Sequence, residues 1–422
     1  MSLLILHRNP FEPFDYRRWL ADVREPVFIL AAADKLRAFG ESAPDLPFAR
    51  IEVFDDFDSP AVDQRARTIV QEQGVTRLIA EHEADLQRAA ELRAELGLPG
   101  ASPRAVLPFR DKLVMKRTLA EAGLEVAEHA LAADATTVRD FARDHGLPVV
   151  LKDRAGFNSI GLRILVDSDG LESALAEAFG ERSQRDDLIV EGFVGGRMCH
   201  VDGLVVGDAV ELVWPSQYQY DLASFGADPG ARVDLTLDPG DPLTPRLRTL
   251  TQQAVTALRQ AGGPASGLRN HAFHAEIFHT EDDRLVICEV ACRSGGAKTR
   301  EVFHAMFGVN LAHCALRLQA GLEAPAELTR LLAHERREPR RMAGQVSMMK
   351  RPGRVYALPE APGEPWVERY WCFAQPDQVI PMASGSADFL AVAVACAPSR
   401  AECESRLRNL GRRFERETLI QG

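Results

Sequence analysis

A lysine followed by a short turn of small residues is the first feature that could do chemistry. Lys152 ends the apolar strand pattern 147–151, and the turn Ala-Gly-Phe-Asn-Ser-Ile-Gly follows at residues 155–161. The backbone N–H groups of such a turn, together with an ammonium group, can surround phosphates. A surface lysine before a turn has the same local pattern, so a phosphate site needs support from other residues.

Two glutamates supply a second candidate site. Glu276 and Glu289 lie on consecutive apolar strand patterns separated by the turn 280–283, which predicts a hairpin with the two carboxylates near each other. Carboxylates among apolar neighbours need a cation, and two oxygen donors suit a magnesium ion that carries substrate phosphates. Arg293 follows Glu289 by four residues, so strand alternation places both on one face. A structural Glu289–Arg293 ion pair is the alternative.

Three histidines lie in the same region, but their spacing does not favour a zinc site. His274 shares a strand face with Glu276, whereas His271 and His279 point to the opposite face. Because the three side chains diverge, we do not expect them to form the tetrahedral ligand set of zinc.

The elements that must position these residues begin with an α/β region. Short apolar runs alternate with helical patterns, which predicts a parallel sheet covered by helices. The runs are residues 3–6, 26–32, 49–54 and 76–81. The first run leads into His7-Arg8-Asn9-Pro10 instead of a glycine-rich phosphate turn, so NAD binding is not expected. Asp111 is expected to cap a helix over 111–123.

The rest of the chain mixes strands and helices. The pattern predicts a hairpin around Val201-Asp202-Gly203-Leu204, a loop over 221–244 and a helix over 245–260. Residues 301–320 are expected to be helical, and the C-terminal region is strand-rich and closes with a helix. The segments 214–240 and 269–271 are candidates for a substrate pocket, with loop packing as the alternative. The side chains considered are Trp214, Gln217, Tyr218, Tyr220, Arg232, Arg269, Asn270 and His271.

Composition excludes several classes of protein. The 422 residues are 46% hydrophobic and 26% charged, which is ordinary for a globular protein and excludes a chain disordered throughout. Fifty Lys and Arg against 61 Asp and Glu give a formal net charge of -11, and no strong basic patch is present, so no nucleic-acid partner is expected. No apolar run approaches the roughly 18 residues that span a bilayer. Seven cysteines without C-x-x-C spacing, and no signal-peptide pattern, favour the reducing cytoplasm.

Five motifs resemble those of the ATP-grasp carboxylate–amine ligases in order and spacing, and the likeness covers nearly the whole chain. They are Asp111-Lys112 at a helix start, Lys152 with its glycine turn, Val190-Glu-Gly-Phe-Val194, His274-Ala-Glu276 and Glu289-Val-Ala-Cys-Arg293-Ser-Gly-Gly296. Within that superfamily the chain looks like an L-amino-acid ligase.

The resemblance implies an ATP-grasp fold of mixed α/β and α+β class. An N-terminal Rossmann-like pre-ATP-grasp domain would span residues 1–105, and the ATP-grasp domain, with the nucleotide, metal and substrate sites, would span 106–325. A strand-rich, lid-like α+β domain would span 326–422.

The resemblance also implies a role for each motif residue. Lys152 and Arg293 would be catalytic, and Glu276 and Glu289 would hold Mg²⁺, for which Mn²⁺ could substitute. The implied ATP contacts are Lys112, Lys152, Ser159 of the mobile loop 155–161, and Glu191, Gly192, Phe193 and Val194 of the adenine hinge. The implied substrate contacts are Arg293, Ser294, Gly295, Gly296, His274 and Arg269.

Two positions depart from the superfamily pattern. Ala291 stands where an asparagine commonly follows the second metal glutamate, so one metal ligand is absent or replaced by water. Phe157 and Asn158 make the loop over the phosphates less glycine-rich than usual. The second departure puts the flexibility of the loop in doubt and leaves nucleotide binding as expected.

The implied reaction is ATP-dependent amide formation through an acyl phosphate, with release of ADP and phosphate. The expected partners are a small-molecule carboxylate and an amine, preferably amino acids or their derivatives, and a homodimer stays open. Three alternatives are an ATP-grasp carboxylase, a phosphotransferase without an amine acceptor, and a non-catalytic ATP-binding module. Ala291 speaks against a biotin-carboxylase-like enzyme, and the full set of charged motif residues makes the non-catalytic module the weakest alternative.

Overall fold

Strands and helices alternate through the first part of the chain, and strands dominate the later part. The computed structural model describes residues 2–38, 40–221, 224, 230–263, 266–335 and 337–422. The strands are β1 (Ser2–His7), β2 (Val27–Ala32), β3 (Ala49–Phe54), β4 (Val75–Ala80), β5 (His129–Leu131), β6 (Val149–Asp153), β7 (Arg163–Leu165), β8 (Leu188–Gly192), β9 (Arg197–Val206), β10 (Ala209–Tyr218), β11 (Arg232–Thr236), β12 (His271–His279), β13 (Leu285–Ala291), β14 (Met342–Met349), β15 (Gly353–Ala357), β16 (Val367–Cys372), β17 (Val379–Ile380), β18 (Phe389–Ala397) and β19 (Leu419–Gln421).

The helices connect these strands and cover the sheets. They are α1 (Tyr16–Trp19), α2 (Ala33–Ala38), α3 (Pro60–Gln73), α4 (Leu86–Glu95), α5 (Pro103–Arg110), α6 (Lys112–Glu121), α7 (Ala135–His145), α8 (Ser168–Phe179), α9 (Leu243–Ala261), α10 (Thr299–Phe307), α11 (Leu311–Ala320), α12 (Ala326–Leu332) and α13 (Arg400–Glu417). A short 3-10 helix, Glu83–Asp85, precedes α4. No helix within the described ranges is both long enough and apolar enough to cross a membrane.

The N-terminal strands form the predicted parallel sheet, in the order β3-β2-β1-β4. Every residue of β1 and β2 is buried, because helices pack on both faces. Alternate side chains of β1 enter two different cores. Leu4 and Leu6 pack with α3, whereas Leu3 and Ile5 share a core with α11 from much later in the chain.

A small antiparallel sheet, in the order β5-β8-β6-β7, carries one wall of the site. Its strand β6 ends with Lys152 and Asp153, and β8 holds Glu191 opposite Val150. Helix α6 leads into this sheet, and it starts where predicted, because the Asp111 side chain accepts hydrogen bonds from the first free N–H groups of the helix.

Eight antiparallel strands form a further sheet, in the order β13-β12-β9-β10-β11-β14-β18-β16. Strands from both sides of residue 326 join it, since β14, β16 and β18 continue the sheet that begins with β9 to β13. The predicted domain limit at residue 105 lies inside α5, and the limit at 325 divides elements that share this sheet. The domain limits therefore stay predictions.

Three expectations from sequence need correction. The predicted hairpin around 201–204 is wrong, because β9 runs through these residues and turns at Gly207-Asp208. The expected loop 221–244 contains strand β11, and its residues 222, 223 and 225–229 lie outside the described part of the chain. The stretch 301–320, expected to be helical, is interrupted and belongs to two helices, α10 and α11, because Gly308 adopts the left-handed conformation (φ 71°) that ends the first.

Candidate active site

A cavity of about 550 Å³ lies between the small antiparallel sheet, the β12–β13 hairpin and the C-terminal segment 386–389. It brings together most of the residues singled out by sequence. Those that line it are Lys112, Lys152, Ser159, Glu191, Gly192, Phe193, Val194, His274, Glu276, Glu289, Arg293 and Gly296. Residues more than 180 positions apart in the chain therefore line one cavity, which only the fold can arrange.

The two glutamates face each other directly across the β12–β13 hairpin. The sequence predicted that the two carboxylates lie near each other, and a register shift between Glu276 and Ile277 sets Glu276 directly opposite Glu289. Their side chains keep 17% and 26% of their surface exposed, and both open into the cavity. Two carboxylates that are partly exposed in a cavity with lysines nearby are a donor set that fits a divalent cation carrying phosphates.

Glu289 is paired with a lysine and not with Arg293. Its Oε2 atom lies 3.1 Å from the Nζ atom of Lys112. Burial acts to raise the pKa of Glu289, but Lys112 and Lys152 outweigh burial and hold that pKa well below its ordinary value. The structural Glu289–Arg293 ion pair considered from sequence does not occur among the ion pairs of the described residues.

A third lysine, Lys116, completes the charge arrangement and was missed by sequence reasoning. Oε2 of Glu191 lies 3.0 Å from Nζ of Lys152 and 3.4 Å from Nζ of Lys116. Burial acts to raise the pKa of Glu191, but the two ammonium groups outweigh it and keep the carboxyl ionised. Lys116 follows Lys112 by four residues on α6, and this helical spacing was the signal that could have identified it.

The loop 155–161 closes over this group of charges. Lys112 donates a hydrogen bond from Nζ to the Gly156 carbonyl (2.6 Å), and the Ser386 N–H donates to the Asn158 carbonyl (3.3 Å). Asn158 and Ser159 both have φ 56°, a left-handed conformation that non-glycine residues adopt at some cost. Hydrogen bonds thus fix the loop 155–161 on two sides. Asn158 and Ser159 adopt the left-handed conformation that glycines would adopt more easily.

One end of the cavity is apolar. Its walls there are Ala127, Val150, Ile164, Phe278, Val286 and Ile287, next to the hinge residues Gly192, Phe193 and Val194. This end suits a flat, uncharged ring with a hydrogen-bonding edge, whereas the lysines and glutamates supply the charged part of the lining.

A buried network of histidines and aspartates lies behind the opposite end, and sequence reasoning missed most of it. Asp202 accepts hydrogen bonds from His200 (Nδ1–Oδ2 2.6 Å) and from His274 (Nδ1–Oδ1 2.9 Å). Nε2 of His200 lies 3.0 Å from Asp234, and Nε2 of His274 lies 3.7 Å from Oε1 of Glu276. Burial acts to lower the pKa of His274, but Asp202 outweighs burial and raises that pKa to about 9. His274 is therefore held as a hydrogen-bond donor toward the cavity.

The loop that follows Arg293 packs on this network. A Cβ atom at Gly295 would lie 2.6 Å from Oδ1 of Asp202 and 2.8 Å from Nδ1 of His274, so the close approach requires glycine. Ser294 is buried and, like Gly295, does not line the cavity, while Gly296 does. Ala291, in place of the usual asparagine, lies directly opposite His274 in the strand register.

Several predicted substrate residues lie elsewhere. Arg269 does not reach the cavity, since its guanidinium binds Asp208 (3.1 Å) beside the β9–β10 turn and is 66% exposed. His271 packs against Phe109, and His279 binds Asp283, both on the strand face opposite His274 as strand alternation predicts. Of the segment 214–240, the cavity includes Tyr218 and Tyr220, whereas Trp214 is part of the core and donates to the Leu237 carbonyl.

Comparison with known proteins shows which family and which enzymes this chain resembles in sequence. Residues 111–326, about half of the chain, match the family model described as carbamoyl-phosphate synthase L chain, ATP binding domain. The L-arginine-specific L-amino acid ligase of Bacillus subtilis is 22% identical over 244 residues, which cover 57% of this chain and 57% of that protein. The D-alanine--D-alanine ligase of Streptomyces avermitilis is 28% identical over 222 residues, covering 47% of this chain and 53% of that protein. The chain thus spans little more than half the length of these curated relatives.

Solved structures show the same architecture over almost the whole chain. The L-amino acid ligase from Bacillus licheniformis superposes with a TM-score of 0.74 at 18% identity, covering 100% of this chain and 99% of that one. The N5-carboxyaminoimidazole synthase from Aspergillus clavatus, in complex with ADP and 5-aminoimidazole ribonucleotide, superposes with a TM-score of 0.68 at 17% identity, covering 98% of each chain. At these identities the likeness shows the fold alone.

Proposed function

The chain belongs to the carbamoyl-phosphate synthase L chain, ATP binding domain family and has the ATP-grasp fold, and from this premise we propose that it is an ATP-dependent ligase that joins a carboxylate to an amine. One observation carries the proposal. Lys112, Lys152, Glu276, Glu289 and Arg293 line a single cavity whose other end is apolar. Such a cavity can hold a nucleotide with its phosphates directed at a second substrate.

The charged groups are arranged to receive phosphates. Lys112 and Lys152 each present an ammonium group in the cavity, and each is already balanced by a glutamate, so the buried charges stay compensated before ATP binds. Glu276 and Glu289 would hold the divalent cation, with magnesium as the proposed ion. When bound, the cation offsets phosphate charge and polarises the transferred phosphoryl group.

The reaction we propose has two steps. A carboxylate oxygen of the acid attacks the γ-phosphorus of ATP, the bond to ADP breaks, and an acyl phosphate forms. The amine nitrogen then attacks the carbonyl carbon, the bond to phosphate breaks, and the amine loses a proton as the amide forms. Arg293 and the protonated His274 lie where they can donate hydrogen bonds to the acid and to the charge that develops on it.

Amino acids are the proposed substrates. Tyr218, Tyr220, His274 and Arg293 supply hydrogen bonds and a positive charge at the end of the cavity beyond the glutamates, and Ala297 and Phe389 supply apolar surface. A small molecule with both a carboxylate and an apolar side chain matches these walls.

The test is to trap the intermediate. The protein is incubated with ATP, Mg²⁺ and each amino acid in turn, with hydroxylamine as the nucleophile, and hydroxamate and ADP are measured together. Equal amounts of both with some amino acid are expected, followed by a dipeptide when a second amino acid replaces hydroxylamine. AMP and pyrophosphate as products, or no nucleotide turnover with any pair of amino acids, would contradict the proposal.

Glu289→Gln is the matched inactive variant for this assay. The amide has the shape of the carboxylate but cannot offset the charge of a metal ion, so hydroxamate formation should fall by roughly a hundredfold or more. Glu404→Gln, at an exposed pair with Arg408 on α13, should keep full activity. Unchanged turnover of Glu289→Gln at saturating Mg²⁺ would show that this carboxylate only partners Lys112.

A further inference from the structure

A carboxylate from the short 3-10 helix that follows β4, Glu83, binds the arginine of the cavity. Oε2 of Glu83 lies 2.5 Å from Nε of Arg293, and its Oε1 lies 2.5 Å from Nη1 of Arg110. The side chains of the three residues are 7%, 15% and 10% exposed, so both ion pairs are largely shielded from water. Charge-assisted hydrogen bonds in such surroundings are short and strong, and each oxygen of Glu83 serves a different guanidinium.

The same segment also contacts the loop over the cavity. Arg110 donates from Nη2 to the Ala155 carbonyl (2.9 Å), so one guanidinium links Glu83 to the first residue of the loop 155–161. The ring of the neighbouring His82 meets the ring of Phe157 edge to face at 5.6 Å. Residues 82 and 83 thus reach both the arginine and the loop, although neither lines the cavity.

The hydrogen bonds of Arg293 leave one nitrogen for a substrate. Its Nε is bound by Glu83, and its Nη1 donates to the Ser294 carbonyl (2.8 Å). Its Nη2 makes no hydrogen bond to any residue that the structure describes. An arginine side chain loses rotamer freedom when it is fixed, so holding it in advance favours the step in which it is used.

We propose that Glu83 is a positioning residue, which fixes the Arg293 guanidinium at the cavity and joins it through Arg110 to the loop 155–161. This inference rests on the proposed function. A purely structural ion pair is the competing explanation, and it predicts a loss of stability without a specific loss of turnover.

The test is a double-mutant cycle on turnover with Glu83→Gln and Arg293→Ala. Glu83→Gln alone should lower kcat by about tenfold to a hundredfold, less than the loss of a direct transition-state contact. If Glu83 acts through Arg293, adding Glu83→Gln to Arg293→Ala should lower kcat by less than about twofold further. The Kd of ADP, measured by calorimetry, should change by less than about threefold, because Glu83 does not line the cavity.

Two further variants separate positioning from stability. Glu83→Asp keeps the negative charge, so its kcat should lie between that of the parent and that of Glu83→Gln. The kcat of Glu83→Gln should stay low even under conditions in which this variant is fully folded. Glu52→Gln is the control, since Glu52 of β3 also pairs with an arginine, Arg65 of α3, at 2.5 Å and does not line the cavity. It should leave kcat unchanged.

Each result has one meaning. Multiplicative losses of kcat in the double variant, or a fall in Tm with normal kcat in Glu83→Gln, would overturn the positioning role while the ligase function stands. Absence of any ligation product from the unmodified protein would overturn the proposed function, and the role of Glu83 with it.

Discussion

Most buried carboxylates near the cavity have a cation beside them, but Glu81 has none in direct contact among the residues that the structure describes. Its neighbour Glu83 binds two arginines, whereas the Oε1 atom of Glu81 accepts a hydrogen bond from the Gln319 amide (3.1 Å). Burial raises the pKa of Glu81 to about 8, and the positive charge of Arg300 and the hydrogen bond from Gln319 offset only part of that effect. At neutral pH this side chain is therefore largely protonated.

The raised pKa of Glu81 predicts how stability depends on pH. Between about pH 4.5 and 8 the folded state binds this proton and the unfolded state does not, so the free energy of unfolding falls as the pH rises through that window. Glu81→Gln removes the titration, and we expect the variant to melt several degrees above the parent at pH 8.5 and close to it at pH 5. Calorimetric scans over this range measure the difference, and parallel Tm–pH curves for the two proteins would contradict the assignment.

The contact partner of a single residue could be predicted from sequence only where the two residues lie close together along the chain. Glu276 and Glu289 are joined by a short turn, so counting residues predicted that they lie near each other, but not the register shift that sets them directly opposite. The partner of Arg293 is Glu83, 210 positions away, and no local pattern links the two. Sequence reasoning could therefore offer only Glu289 as an ion-pair partner of Arg293, as the alternative to a substrate contact, whereas in the structure Glu289 pairs with Lys112.

At the scale of elements, strand β9 shows why a glycine can mislead. Asp202-Gly203 is typical of a tight turn, which is why a hairpin was predicted there. In the structure Gly203 lies in mid-strand between Val213 of β10 and Phe273 of β12. Its missing side chain leaves room for the Phe273 ring and the Leu212 carbonyl, and this need arises only once three strands are assembled.

Replacing Gly203 by alanine should therefore disrupt the sheet. The new Cβ atom would lie 2.1 Å from the Leu212 carbonyl oxygen and 2.3 Å from Cζ of Phe273, and the backbone contact cannot be relieved by a rotamer change. We expect a loss of about 2–3 kcal/mol or more, measured by chemical unfolding. Gly240→Ala is the control, since nothing lies within 4 Å of its Cβ position, and equal stability of both variants would contradict the packing explanation.

At the scale of the whole molecule, the three predicted regions share cores and sheets. Sequence periodicity predicted the order of strands and helices well, because each pattern is local. It could not predict that α11 packs Ala312, Leu316 and Ala320 into the core of the N-terminal parallel sheet. Arg317 on the same helix binds Asp22 (2.7 Å), which adds a polar contact to that interface.

Because of these shared cores, we expect the chain to unfold as one cooperative unit. Leu316→Ala removes a fully buried side chain between α11 and the parallel sheet, and it should cost about 2–5 kcal/mol. If the regions are coupled, the variant lowers the temperature of a single calorimetric transition, and near- and far-ultraviolet circular dichroism change together. Leu419→Ala, at a leucine that is 49% exposed, should leave the transition unmoved. A separate early transition in Leu316→Ala would instead mean that the N-terminal sheet melts independently, and the predicted limit at residue 105 would then mark a true unfolding boundary.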